Sequence, residues 1–304
     1  MSQASDLLEL CPVQPNPGIA RTRKHERYIV WKRLLSSRNG RIGLFITLLV
    51  LLFAFMGPSL SSYDPIKQEL MDGLQAPSRV HWFGTDELGR DILCRMLYGT
   101  RVALQVGFIA DGISLAIGVL LGLLAGYFGG KLGTCIMRFM DVLLAFPYLL
   151  LAMMIVAILG PGLRNAMIAI GIVYIPQYTR LVRGSVLAAR ELEFVVAAEI
   201  AGASHWRIMT KHILRNCFSP IIVQASLTFG SAIVETAGLG FLGLGAQPPQ
   251  PEWGAMLSTG RSFILQAPWI CTFPGLGILF SVVGFNLLGD GLRDALDPKS
   301  GVEG

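Results

Sequence analysis

Residues 42–60 read IGLFITLLVLLFAFMGPSL, a run without one charged side chain. Such a run constrains a fold more than any short motif can, because about 20 consecutive apolar residues wound as a helix cross the hydrocarbon core of a bilayer. Inside that core every backbone amide must find its partner within the protein, which leaves helices or closed barrels as the spanning structures. Stretches of this type recur at 102–130, 142–163, 165–179, 217–234 and 262–289. The sequence therefore predicts an all-α polytopic membrane protein with six transmembrane helices. The fourth is the shortest, bounded by Arg164 and Arg180, whose long side chains can snorkel to the head groups.

Orientation follows from the basic residues. Of the 25 Lys and Arg, 18 fall in segments 1–41, 131–141, 180–216 and 290–304, which a six-span path places on one side of the membrane. By the positive-inside rule that side is the cytoplasm, so both termini are expected there, in the cell (inner or plasma) membrane. The chain then divides into a cytoplasmic N-terminal segment 1–41, a first span 42–60, an extracytoplasmic loop 61–100, a membrane core 101–290 containing the connection 180–216, and a cytoplasmic tail 291–304. The basic stretch RTRKHER (21–27) leads into a run of spanning length rather than a short signal-peptide core, so the first span is expected to persist. Charged residues make up 15% of the chain and hydrophobic ones 53%, against about a quarter charged in soluble domains. The net charge of +5 accordingly reads as topology and contact with membrane lipid, not as nucleic-acid binding.

Motifs for covalent or metal chemistry are missing. The five cysteines form no CxxC pair, and His25, His81, His205 and His212 have no metal-ligand spacing. The sole Gly-Lys pair, Gly130-Lys131, has Ala125 where a phosphate-binding loop needs glycine and Leu132 where it needs Ser or Thr. No catalytic residue, bound cofactor or metal is expected in this chain. Two acids stand inside or beside apolar runs, Asp111 and Glu235. Acids at membrane depth are functional by default, so both are candidates for a solute pathway, with an outer-interface position as the alternative for each. The connection AGLGFLGLGAQPPQPEWGAML (237–257) is rich in Gly and Pro, which suggests irregular backbone lining a cavity at the membrane edge.

The connection 180–216 carries six Lys and Arg and no proline. Val186 to Ala201 favours helix, Gly202 supplies a left-handed terminating residue, and Ser204 can cap a second helix. In that second helix Arg207, Lys211 and Arg215 share one face, and Trp206, Met209 and Ile213 another. Ala197, Ala198, Ala201, Gly202 and Ala203 gather small side chains around the bend, permitting close approach by another protein or by the chain's own spans.

Within this connection EFVVAAEIAGAS (193–204) resembles the cytoplasmic Glu-Ala-Ala signature of ABC importer permeases. Ala197, Ala198 and Gly202 stand at the required spacing and Leu214 matches the later leucine, while Val196, His212 and Arg215 replace the signature Glu, Ile and Pro. HWFGTDELGRDILCRMLYGTR (81–101), MRFMDVLLAFP (137–147), GFLGLGAQPPQPEWGAML (240–257) and GFNLLGDGLRDALDPK (284–299) resemble the second membrane subunit of the dipeptide and oligopeptide permease branch. The resemblance implies a type I ABC importer permease fold. It further implies partnership with a second permease subunit, two cytoplasmic ATPases that bind ATP and Mg, and an extracytoplasmic solute-binding protein. Glu193, Ala197, Ala198, Glu199, Gly202, Ala203, Ser204 and Leu214 would then form the contact with an ATPase. Relatives of this branch carry peptides, glutathione-like compounds, opines or nickel complexes. The competing reading is an ion-coupled secondary transporter working without an ATPase, which would show inverted repeats and buried charge pairs at the midplane.

Overall fold

A computed structural model describes residues 28–296 of the chain. Segments 1–27 and 297–304, with RTRKHER and the ends of both cytoplasmic segments, lie outside the described residues. Helices dominate, and among the described residues β geometry is confined to one isolated bridge between Thr85 and Asp91.

Residues 28–36 are helical and bend at Ser37 into α1 (Arg38–Leu60). The Ser37 hydroxyl accepts the Gly40 amide at 2.9 Å, satisfying one of the helix's orphan donors. Phe45 and Phe55 on α1 are strongly exposed, as on a helix that faces lipid. Helix α2 (Ile92–Tyr127) begins ten residues before the span read from the sequence. Asp91 is the cause: its carboxylate accepts the Cys94 amide at 2.7 Å and starts the helix there. The irregular connection after α1 thus ends at residue 91, and the first turns of α2 fall within the expected loop 61–100. At 36 residues α2 is about 54 Å long, well beyond the hydrocarbon thickness.

The run 142–163 is not one straight span. Helix α3 (Gly130–Leu144) and helix α4 (Tyr148–Leu159) meet at 93° across Ala145, Phe146 and Pro147. Pro147 has no amide hydrogen to continue α3, and its fixed φ suits the start of a new helix. Helix α5 (Leu163–Arg190) extends the expected 165–179 segment by eleven residues at its C-terminal end. Helix α6 (Glu193–Ile200), α7 (Phe218–Phe241), α8 (Trp253–Gly260) and α9 (Trp269–Leu296) complete the order. Among the described residues, four helices are long and apolar enough to cross a membrane, and the bent α3–α4 pair makes a fifth candidate. Four arginines make α5 more polar, but its 28 residues, about 42 Å, leave room for a crossing and an extension beyond the bilayer.

Glycines bring the long helices together. A methyl group at Gly122 would lie 2.7 Å from Val182 Cβ and 2.8 Å from Thr179 O, and one at Gly126 would lie 2.7 Å from Val186 Cβ. With Gly118 against Tyr178, the four-residue spacing gives α2 a smooth face on which α5 lies backbone to backbone. Gly43 on α1 meets the backbone of Leu288 on α9 in the same way.

The connection between α1 and α2 is held by a buried ionic cluster. Arg90 Nε meets Asp86 Oδ2 at 2.7 Å, Arg95 Nη1 donates to Pro65 O at 2.8 Å, and His81 Nδ1 lies 3.0 Å from Asp91 Oδ2. The connection after α7 differs from the expected irregular cavity lining. Helix α7 runs on to Phe241, α8 starts at Trp253, and the segment packs tightly, with Trp253, Met256, Ile92 and Ile270 in one core. Glu252 caps α8, its two carboxylate oxygens accepting the Gly254 and Ala255 amides at 2.7 Å each. Burial pushes this carboxyl up to about 7, and the two amide bonds act in the opposite direction.

Candidate functional site

Two regions carry the sequence-derived candidates. The first is the connection between α5 and α7. A single helix over Val186 to Ala201 is not formed: α5 stops at Arg190, Leu192 is extended (φ −77, ψ 139), and α6 starts at Glu193. The interruption lets Val195 swing inward, where it is fully buried with Val182, Val186, Ile208, Met209 and Ile213. Burying these apolar side chains outweighs continuation of the α-helical ladder, because each contributes about 1.5–3 kcal/mol.

The bend itself matches its sequence signals. Gly202 has φ +76, its amide donates to Glu199 O at 2.9 Å, and the Ala203 amide reaches back to Ala198 O at 3.1 Å. This pair of bonds is a Schellman ending, which glycine adopts without strain. Ser204 then caps the next helix, its hydroxyl accepting the Arg207 amide at 3.4 Å. That helix, 205–216, passes through a π turn at Ile208–Ile213. The wider turn shifts the faces: Met209 and Ile213 are buried as expected, but Trp206 is turned outward and 63% exposed.

The eight candidate coupling residues divide between surface and interior. Glu193, Ala197, Glu199, Gly202 and Ser204 are exposed, whereas Ala198, Ala203 and Leu214 pack against the buried cluster. Sequence reasoning missed the exposed apolar partners of that surface, Leu192, Phe194, Val196 and Ile200, the last 83% exposed. Their signal was an apolar residue in a segment too short and too charged to enter the membrane. The segment is tied to the bundle by Tyr127 at the end of α2. Its hydroxyl lies 2.7 Å from His205 Nδ1, and its carbonyl accepts Arg190 Nη1 at 3.0 Å.

The second region is a cavity of about 410 Å³ between α4, α5, α7 and α9. Tyr148 and Tyr174 stack at its wall with ring centroids 5.5 Å apart, and Gln177, Gln224, Ser231 and Glu235 add polar groups. Asp111 is elsewhere. It lies mid-helix in α2, buried at 8% exposure, and accepts a hydrogen bond from the Tyr178 hydroxyl at 2.6 Å. The structure therefore separates the two acids: Glu235 lines the cavity, and Asp111 joins α2 to α5. Gln177 and Gln224 were not read from the sequence, since isolated amides in apolar runs have no distinguishing spacing.

Known proteins resemble the chain along most of its length. Residues 118–302 match the model of the binding-protein-dependent transport system inner membrane component, and residues 28–77 match the N-terminal TM domain of oligopeptide transport permease C. The chain is 53% identical over 269 residues to the dipeptide transport system permease protein of Alkalihalophilus pseudofirmus, covering 88% of each. It is 48% identical over 280 residues to the probable D,D-dipeptide transport system permease protein of Escherichia coli, covering 92% of this chain and 94% of that one. Among solved structures, a chain of the MetNI methionine ABC transporter in an inward-facing conformation superposes with a TM-score of 0.54. At 18% identity it covers 66% of this chain and 96% of its own, a likeness of fold.

Proposed function

The chain belongs to the family of binding-protein-dependent transport system inner membrane components and is a multi-pass permease subunit of an ABC importer; from that premise we propose that it forms part of the pathway for di- or oligopeptides or related small solutes. A second permease subunit completes the pathway, two cytoplasmic ATPases bind ATP and Mg, and an extracytoplasmic binding protein delivers the solute. Both termini and the bend 193–204 lie in the cytoplasm, where 18 of the 25 basic residues concentrate in the six-span arrangement. The ion-coupled alternative finds no support among the relatives.

The observation that carries this reading is the bend at Gly202. Small residues Ala197 and Ala201 and the exposed apolar Val196 and Ile200 form its outer surface, while Val195, Ile208 and Ile213 root it in the bundle. A surface that is apolar, exposed and rigidly based can be pushed. Closure of the ATPases displaces the bend, the π turn and Cys217 pass the movement to α7, and α5 follows through Val182 and Val186. Different contacts in the nucleotide-bound and nucleotide-free states are what convert binding energy into altered cavity access.

The test is reconstitution of the complete transporter in vesicles. ATP-dependent accumulation of a radiolabelled dipeptide, abolished by omitting the ATPases, is the expected result. Accumulation driven by an ion gradient without ATPases would overturn the proposal.

A further inference from the structure

The cavity between α4, α5, α7 and α9 has a chemical bias. Glu235 is half-buried at its edge, eighteen residues along α7, and no described lysine, arginine or histidine forms an ion pair with it. Among the described residues no basic side chain lines the cavity. Gln177, from α5, adds an amide oxygen that is buried without a hydrogen-bond partner. Gln224 commits a donor inside the wall: its Nε2 donates to Thr228 Oγ1 at 2.9 Å. The Ser231 hydroxyl likewise donates to Leu227 O at 3.1 Å, leaving its lone pairs as acceptors. The wall thus sets amide and hydroxyl groups around one formal negative charge, with no positive charge among the described lining residues. From Gln224 to Glu235 the wall extends about 16 Å along α7, more than the length of a dipeptide.

We propose that Glu235 forms a station in the cavity that selects for a primary ammonium group on the passing solute. This rests on reading the chain as part of a solute pathway. An ammonium carries three donors and no acceptor, matching the Glu235 carboxylate, which when ionised only accepts. A carboxylate inside a low-dielectric wall attracts a cation more strongly than one in water, and it opposes anions by the same amount. The stacked Tyr148 and Tyr174 rings add π faces, which also favour a cation. A station of this kind needs only to bias passage. Tight binding would slow release, so its expected effect is on selectivity and rate rather than on equilibrium retention.

The test uses the assembled transporter carrying Ser231→Cys, which places a thiol in the cavity beside Glu235. Modification rates are measured with a methanethiosulfonate bearing an ethylammonium group and with one bearing an ethylsulfonate group. The parent protein supplies the background from its own cysteines, and the two rates are normalised to a free thiol. Expected is a preference of at least tenfold for the cationic reagent, falling towards unity when Glu235→Gln is added and returning with Glu235→Asp. A ratio unchanged by Glu235→Gln overturns the proposal, as does an introduced thiol that reacts with neither reagent in the nucleotide-free and ATP-bound states. Uptake of Ala-Ala by the wild-type transporter is followed in parallel. Loss of the peptide reading would appear there as no accumulation, while the reagent ratio judges the station independently.

Discussion

The Tyr178 hydroxyl donates to Asp111 Oδ1 at 2.6 Å, across the seam where α2 and α5 lie closest. Tyr178 is fully buried and Asp111 nearly so. Tyr178→Phe strands a buried acceptor and is expected to destabilise the protein by about 1–3 kcal/mol, whereas replacing both partners by apolar groups recovers part of the loss. Thermal unfolding in detergent of Tyr178→Phe, Asp111→Leu and the double variant forms the cycle that checks this. Strict additivity would show that the two side chains do not act as a pair.

Two glycines of α2 should respond oppositely to one methyl group. Gly112 has no atom within 4 Å of an added Cβ, so Gly112→Ala is expected to be neutral or stabilising by up to about 1 kcal/mol through helix propensity. At Gly122 the same methyl meets Val182 and the Thr179 carbonyl, and overpacking of this kind costs about 1–3 kcal/mol. Equal melting temperatures for the two variants would contradict the close α2–α5 packing.

The bend depends on one backbone conformation. Gly202 has φ +76 and open space around it, so Gly202→Ala costs roughly 1–2 kcal/mol by forcing a side chain into the left-handed region, with no clash against a neighbouring element. Gly202→Asn should cost less. Co-purification of the ATPases is expected to fall in the order Gly, Asn, Ala, with membrane insertion unchanged. If all three retain the ATPases equally, the bend is not the contact.

Val196 stands where the signature that this segment resembles has glutamate, and its side chain is half-exposed. A carboxylate there remains solvated, so Val196→Glu should fold normally and strengthen ATPase association, read as increased ATP-dependent uptake. Unchanged uptake would assign the coupling to the alanines and Gly202 alone.

Glu252 gives the connection between α7 and α8 a pH dependence. Its carboxyl is raised from the ordinary 4.5 to about 7 in the folded chain, so between these values the folded state holds a proton that the unfolded state has released. The associated stability is present in full below about pH 4.5 and is lost as pH rises through 7, on the order of 3 kcal/mol for the whole shift. The melting temperature should therefore fall from pH 5 to pH 8, and Glu252→Gln should flatten that slope. A wild-type profile rising over this interval would refute the assignment.

The bend at Gly202 was legible because its physics is local, whereas two helix boundaries of equally local cause were missed. Asp91 fixing the start of α2 and Pro147 ending α3 both act through groups a few residues away. Neither boundary coincides with the end of an apolar run, because such runs mark where a chain can sit in lipid rather than where its helices begin. The break at Leu192 had no local signal. Its cause is the fit of Val195 against Val182 and Ile208, residues that meet only after the chain has turned.

The sequence by itself determined the helical, membrane-spanning class, the bias of positive charge and the bend at Gly202, because these depend on composition, spacing and the backbone freedom of single residues. Tertiary structure decided what the two intramembrane acids do. Gly118, Gly122 and Gly126 set how closely and at what rotation α5 lies on α2, and that rotation turns Asp111 into the seam beneath Tyr178. Glu235, on a helix packed by other contacts, is left on the cavity wall. Two carboxylates alike in sequence context differ because helix rotation, fixed by backbone contact, governs which side chain meets a partner and which faces a cavity.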